Sequence, residues 1–245
     1  PALVFHQDEP IADPVCVPLY YVSKLARDSG TIVIQVGEGA DEIFSGYENY
    51  VRHLRIYETF WRHAENLPLR RTVANISMPA LEATGRKRVA IELIRRLGAD
   101  EPLFWGGVVV YDETLKPRVL SSQLRQRMNG HSSIEVVNSY LKHIEDARPK
   151  SEFLARMTYL ELKLRLPELL LMRVDKITMA TSVEARVPFL DLAVAVVLAI
   201  AAPVGGDVAG VADRHHVQVG RVAQVVDNLE GGRLLPLQPV VVDRV

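Results

Sequence analysis

Apolar residues recur at helical spacing over 14–28, where Val15, Tyr21, Val22 and Leu25 mark one stripe of PVCVPLYYVSKLARD and Gly30 supplies a stop. The period then changes. TIVIQV, 31–36, is an unbroken run rich in β-branched residues, which after a helix predicts a buried parallel strand. It gives way at 37–42 to GEGADE, helical from Asp41, so Gly37, Glu38 and Gly39 fall at the carboxyl end of a strand, where open α/β sheets take their ligands. Helical periodicity follows over 47–65, 86–97, 132–147, 151–165 and 167–180, with a further candidate over 189–202. Pro68, Pro79, Pro102, Pro117, Pro149 and Pro167 read as helix starts or loop residues between these stretches. The expected fold class is α/β, one edge of a parallel sheet followed by a largely helical region, without internal repeats.

The most apolar run, VPFLDLAVAVVLAIAAPV at 187–204, is interrupted by Asp191 and ends at Pro203. It is shorter than the roughly 20 residues a bilayer crossing needs, so a buried helix is expected there. Beyond it the character changes: no lysine follows Lys176, no aromatic residue follows Phe189, and 193–245 holds fifteen valines. Without large side chains such a stretch packs poorly. It reads either as a poorly ordered, non-native-like tail or as short strands, and the expected division is 1–191 against an atypical tail, 192–245.

Composition narrows the function classes. A 48% hydrophobic content in 245 residues supports a real core, and 29 basic against 30 acidic residues leave a net charge of -1, with no nucleic-acid footprint. The single cysteine, Cys16, excludes an internal disulfide framework, favours a reducing compartment such as the cytoplasm, and reads as a small buried hydrophobe. The chain opens on Pro1, Ala2 and Leu3, with neither an initiator Met nor a signal core, and is expected to be a partial one.

Candidate chemistry concentrates in a few segments. In VGEGADEIFSGY, 36–47, Glu38, Asp41 and Glu42 crowd a strand end and helix start. Asp41 as a helix cap explains one of these carboxylates. The cluster as a whole suits Mg²⁺ held in an oxygen shell and bridged to nucleotide phosphates. In LLLMRVDKITMATSVEARVPFLD, 169–191, Arg173, Asp175, Lys176, Glu184, Arg186 and Asp191 punctuate an apolar stretch. Lys176 is either a snorkelling surface lysine or a compact donor to phosphate oxygens, and Glu184 with Arg186 suits a loop ion pair. DEPIADP, 8–14, carries Asp8, Glu9 and Asp13 and is either a solvated turn or the rim of a site, with His6 beside it. His53, His63, His131 and His143 read as surface residues, and the adjacent His215 and His216 lack the partners a zinc site needs.

With these segments in order, the sequence resembles the synthetase domain of the glutamine-hydrolysing asparagine synthetase family. DEPIADP, the following helix and strand, GEGADEIFSGY and RVDKITMATSVEARVPFLD carry the likeness over about 5–191. The resemblance implies an adenine-nucleotide alpha-hydrolase-like sheet of ATP-pyrophosphatase type, truncated at its front, and a ligase reaction in two steps. Mg·ATP would adenylate a carboxylate, aspartate in the parent activity, with release of pyrophosphate, and ammonia from a separate upstream glutaminase domain would attack the acyl-adenylate. Asp41, with Glu42, would hold Mg²⁺; Val36, Gly37, Glu38, Gly39, Asp41 and Lys176 would line the nucleotide site. Lys176 would neutralise phosphoryl charge and Glu38 would handle a proton or orient the intermediate. Asp8, Glu9, Asp175, Glu184 and Arg186 would support them.

Several positions depart from the family pattern. Its pyrophosphate loop, SGGxDS, would precede residue 1. Val36 stands where the family has a serine, and Ser45 where it commonly has the first glycine of FGGY. The β-lactam-forming branch shares the framework, so intramolecular amide closure without ammonia is an alternative activity, and an inactive fragment or helical interaction protein is another. A sheet cut at its front would leave an unpaired edge and favour association between copies.

Overall fold

The computed structural model describes residues 2–8, 11, 13–83, 88–107, 109, 111–113 and 115–195. From 196 on, the Val-rich segment and the second half of the candidate helix over 189–202 lie outside the described residues, as does Glu9. The first elements are α1 (Ala2–His6), α2 (Cys16–Asp28), β1 (Val33–Gln35), α3 (Ala40–Phe44) and α4 (Glu48–Ile56). A π-helical turn, Tyr57–Trp61, joins α4 to α5 (Arg62–Ala64) without a break, so 47–65 forms the one long helix expected there. Then come α6 (Arg70–Ala83), α7 (Arg88–Ala99), α8 (Lys116–Val119), α9 (Ser122–Met128), α10 (Ser133–Ala147) and α11 (Phe153–Leu160). A π-helical stretch, Glu161–Leu171, runs directly into α12 (Met172–Met179), followed by β2 (Glu184–Arg186), a 3₁₀ turn, Pro188–Leu190, and a helical turn over 192–195 where the described chain ends. Within it, no helix is long and apolar enough to cross a membrane.

Among the described residues the structure is mostly helical, with one small parallel sheet. β1 and β2 pair in the register Val33↔Glu184, Ile34↔Ala185 and Gln35↔Arg186. The pairing is extended by Glu184 N donating to Ile32 O at 2.8 Å and Val36 N to Arg186 O at 2.9 Å. This sheet brings the turn after β1 beside the segment after α12, although about 150 residues separate them in sequence.

Two expectations need correcting. The 31–36 strand is not buried: Ile32 is 58% exposed, and among the described residues β1 has only β2 as a strand neighbour. The apolar stripe on α2 likewise faces outward at Tyr21, Val22 and Leu25. The helix packs on α12 through its opposite side, where Cys16 and Ser23 are buried. The Cys16 thiol, pushed up by burial, receives a bond from Gln7 Nε2.

Proline did not break the helices as expected. Pro79 lies inside α6, and Pro167 lies inside the π-helical stretch. A proline removes one donor and crowds the carbonyl a turn earlier, and at Pro167 the wider π register admits it without ending the helix. The main core gathers Tyr50 of α4, Phe104, Trp105, Ile134 and Val137 of α10, and Leu154, Met157 and Leu160 of α11. Met157 is fully buried, which makes α11 the central post of the helical part. A second cluster, Trp61, Ala64, Leu97 and Leu103, seats α7 against the π turn after α4.

Candidate active site

The turn after β1 is held by backbone conformation. Gly39 has φ +90° and a Cβ there would lie 2.3 Å from Leu190 Cδ2, so only glycine fits between the acidic turn and the PFL turn. α3 then spans five residues and ends on Ser45, at φ 56° and ψ 42°. Gly46 N returns to Asp41 O at 2.9 Å, the bond that closes a Schellman motif. Asp41 bends its carboxylate over Gly46, where a Cβ would meet Oδ1 at 2.2 Å.

The three carboxylates of this turn point to different neighbours. Asp41 is exposed, Glu38 is half-buried against Arg173, and Glu42 is 1% exposed. Tyr47 Oη donates to Glu42 Oε1 at 2.8 Å. Burial pushes the Glu42 carboxyl above its ordinary value, Tyr47 and the Arg165 charge opposing the rise, and burial beside Glu42 pushes the Tyr47 hydroxyl up. Glu42, expected beside Asp41 as a metal ligand, is thus directed into the protein. Among the described residues no group of three or more His, Cys, Asp or Glu side chains converges for a metal.

Behind Glu42 lies a second buried carboxylate. Glu161 is fully buried, receives Arg165 Nη1 at 3.1 Å, and accepts a bond from the Gly107 amide. Arg165 also lies over the Tyr47 ring, its guanidinium carbon 4.5 Å from the centroid. One guanidinium therefore joins the inner side of the acidic turn to the 104–107 loop.

On the outer side α12 contributes two cations. Arg173, a buried residue of α12, reaches Asp13 with Nη1 and Glu38 Oε1 with Nη2 at 2.9 Å. Burial works against the Asp13 anion, and the Val15 amide together with Arg173 more than offsets it, holding the carboxyl below its ordinary value. Lys176 Nζ lies 2.5 Å from Asp8 Oδ2, and that partner raises the lysine above its ordinary value. The 8–14 segment, the turn after β1 and α12 are thereby joined through ion pairs.

Other residues expected here sit elsewhere or differently. Asp175 is exposed on α12. Glu184 and Arg186 lie on β2 rather than in a loop, and their 2.8 Å pair is exposed, because alternate residues of a strand share a face. Val36 and Gly37 follow β1, with Val36 half-buried. His53 departs from its surface reading: it packs edge-on to Phe104 at 5.1 Å, with Nδ1 2.9 Å from Asn49 O, and burial lowers its proton affinity. Arg173 and Asp13 are the residues that sequence reasoning noted without assigning to the site. A cation flanked by buried positions Val174 and Ile177 was the available signal, and it required knowing which face of α12 points inward.

The acidic turn follows a strand of a parallel pair and is tied to a distant helix by Arg173, an arrangement of the class of α/β folds whose sites open at strand ends. The family model for asparagine synthase, a domain of ATP-pyrophosphatase type, matches residues 1–204, and the chain belongs to that family. It is 33% identical over 193 residues to a putative glutamine-hydrolysing asparagine synthetase of Mycobacterium tuberculosis, covering 78% of this chain and 27% of the relative. It is 30% identical over 191 residues to glutamine-hydrolysing asparagine synthetase 1 of Bacillus subtilis, covering 78% and 28%. The chain thus spans little more than a quarter of the length of these curated relatives. No solved structure matches it significantly.

Proposed function

We propose that this chain carries the synthetase part of an ATP-dependent carbon–nitrogen ligase. A carboxylate oxygen of the substrate, aspartate by the parent activity, attacks the α-phosphorus of ATP and pyrophosphate leaves. Ammonia, released from glutamine by a glutaminase domain, then attacks the acyl carbon, AMP leaves, and a proton is lost from the nitrogen. The observation that supports this reading is that long-range ion pairs join the separated motifs, Arg173 of α12 with Glu38 of the turn after β1 and Lys176 with Asp8.

Each residue has a role suited to its setting. Mg²⁺ bridged to nucleotide phosphates needs only one or two protein carboxylates, and Asp41, exposed on the turn, fits as one of them. Such an ion neutralises charge on the phosphate oxygens. Lys176, whose partner Asp8 is itself exposed, can exchange that partner for a phosphoryl oxygen. Glu38 orients the amine or takes its proton, while Gly37 and Gly39 allow close backbone approach. Glu42 supports the turn from inside, while Asp175, Glu184 and Arg186, exposed on α12 and β2, stay at its periphery. The same reading makes 1–191 the functional unit and places the protein in the cytoplasm.

Pyrophosphate release with Mg·ATP, measured on the protein that carries this chain across a panel of carboxylates with and without glutamine, tests the proposal. The expected result is release dependent on aspartate, with asparagine formed when glutamine is present. Release accompanied by ring closure of a single substrate would assign the β-lactam-type chemistry instead. No release with any carboxylate would defeat the proposal.

A further inference from the structure

Arg173 is the most enclosed cation of the site. Its side chain is 7% exposed, and its Nε is buried without a hydrogen-bond partner among the described residues. Its two terminal nitrogens go to carboxylates of different segments, Asp13 and Glu38. Asp13 is itself fixed, since its Oδ1 accepts from Val15 N at 3.0 Å and its carbonyl from Cys16 N at 3.2 Å, at the start of α2. The helix bearing Arg173 is anchored by Val174 and by the fully buried Ile177.

We propose that Arg173 is a positioning residue that sets the location of the Glu38 carboxylate, and that Asp13 acts on Glu38 through it. A guanidinium is a rigid planar fork, so seating one nitrogen on Asp13 constrains where the other can sit. Glu38 follows a glycine and precedes another, and its backbone has little else to restrain its carboxylate. Within a site of low exposure both pairs are strengthened, and a lysine ammonium, a compact point charge, does not reproduce the fork. This inference rests on the proposed role of Glu38 in the ligase reaction.

The experiment compares wild type with D13N, R173K, R173Q and the double variant D13N/R173Q, in the protein that carries this chain. Misplacement of a reacting group costs on the order of 10²-fold, so R173Q is expected to lower kcat for amide formation about 100-fold, and D13N about 10-fold, with KM for ATP within about 3-fold. R173K should resemble R173Q more than wild type. Groups acting through one another are non-additive, and the double variant should match R173Q alone. Additive losses, full activity in R173K, or a rise confined to KM would overturn the proposal.

A second measurement is independent of turnover. The ¹³C carboxyl resonance of Glu38, assigned by its loss in E38Q, should move in D13N and should not respond to D13N once Arg173 is glutamine. Absence of any D13N response with Arg173 present would overturn the coupling. If R173Q does not fold, D13N and R173K decide the matter, since either one leaving kcat and the Glu38 resonance unchanged would refute it. A wild-type protein without ligase activity defeats the functional reading, and the resonance then still decides whether Arg173 positions Glu38.

Discussion

Gly39 lies directly against Leu190: a Cβ on the glycine would sit 2.3 Å from Leu190 Cδ2 and 2.8 Å from Cγ. This contact is where the acidic turn meets the segment following β2, and it complements the backbone pairing of the two strands. It makes the geometry of the turn depend on side-chain packing from the other motif.

Gly39→Ala should therefore be costly in two ways. The left-handed backbone penalises any Cβ by about 1–2 kcal/mol, and crowding of Leu190 adds about 1–3 kcal/mol. A loss of roughly 2–5 kcal/mol in urea denaturation is expected. A loss of only about 1–2 kcal/mol, the backbone penalty alone, would mean that Leu190 moves aside easily, and that the two motifs are not packed as tightly as described.

Ser45→Gly should have the opposite sign. Ser45 ends α3 in the left-handed region, where the family pattern more commonly has glycine. Relief of Cβ strain, partly offset by greater freedom of the unfolded chain and by loss of the serine's own contact, should stabilise the protein by at most about 0.5–1 kcal/mol, read as a higher Tm. An unchanged or lower Tm would show that the serine side chain compensates for its backbone.

Glu42 gives a pH dependence whose direction follows from its burial. Its carboxyl titrates above its ordinary value of 4.5 in the folded state. A raised folded value means that this group's contribution to stability is fully present below pH 4.5 and lost as pH rises through the folded value. Glu42→Gln keeps an acceptor for Tyr47 and removes the titration. The difference in stability, variant minus wild type, should then become more positive as pH is raised from 4 to 8, to a plateau, in denaturant melts. A flat or falling difference would contradict the burial argument.

Legibility in the sequence followed the range of the interactions involved. Helices at 14–28, 47–65, 86–97 and 132–147 were readable because amphipathic period and caps are local; Ser132, for example, caps α10 by accepting from Ile134 N. The strand was readable as a strand, from its β-branched residues, but its burial depends on what lies beside it. The outward face of α2 was misread for the same reason, since Tyr21 and Leu25 have helical spacing whether or not anything covers them. The motif positions of the site were visible, whereas the division of labour among Glu38, Asp41 and Glu42 was not. Their directions are set by Arg173, Gly46 and Tyr47, partners supplied by tertiary folding or by a left-handed turn.

The unbroken rod from α11 through the π-helical stretch to α12 works as an indexing shaft. At one end of its π-helical stretch it fixes Glu161 beneath the 104–107 loop, and just past the other it aims Arg173 at the acidic turn. Each widened turn changes the angular phase between those ends relative to a regular helix, so Glu161 and Arg173 keep their bearings only for one number of residues between them. Removing a single residue there would shift the phase of everything beyond it by roughly a quarter turn. Length in this segment is consequently under geometric constraint even where the individual side chains are exposed.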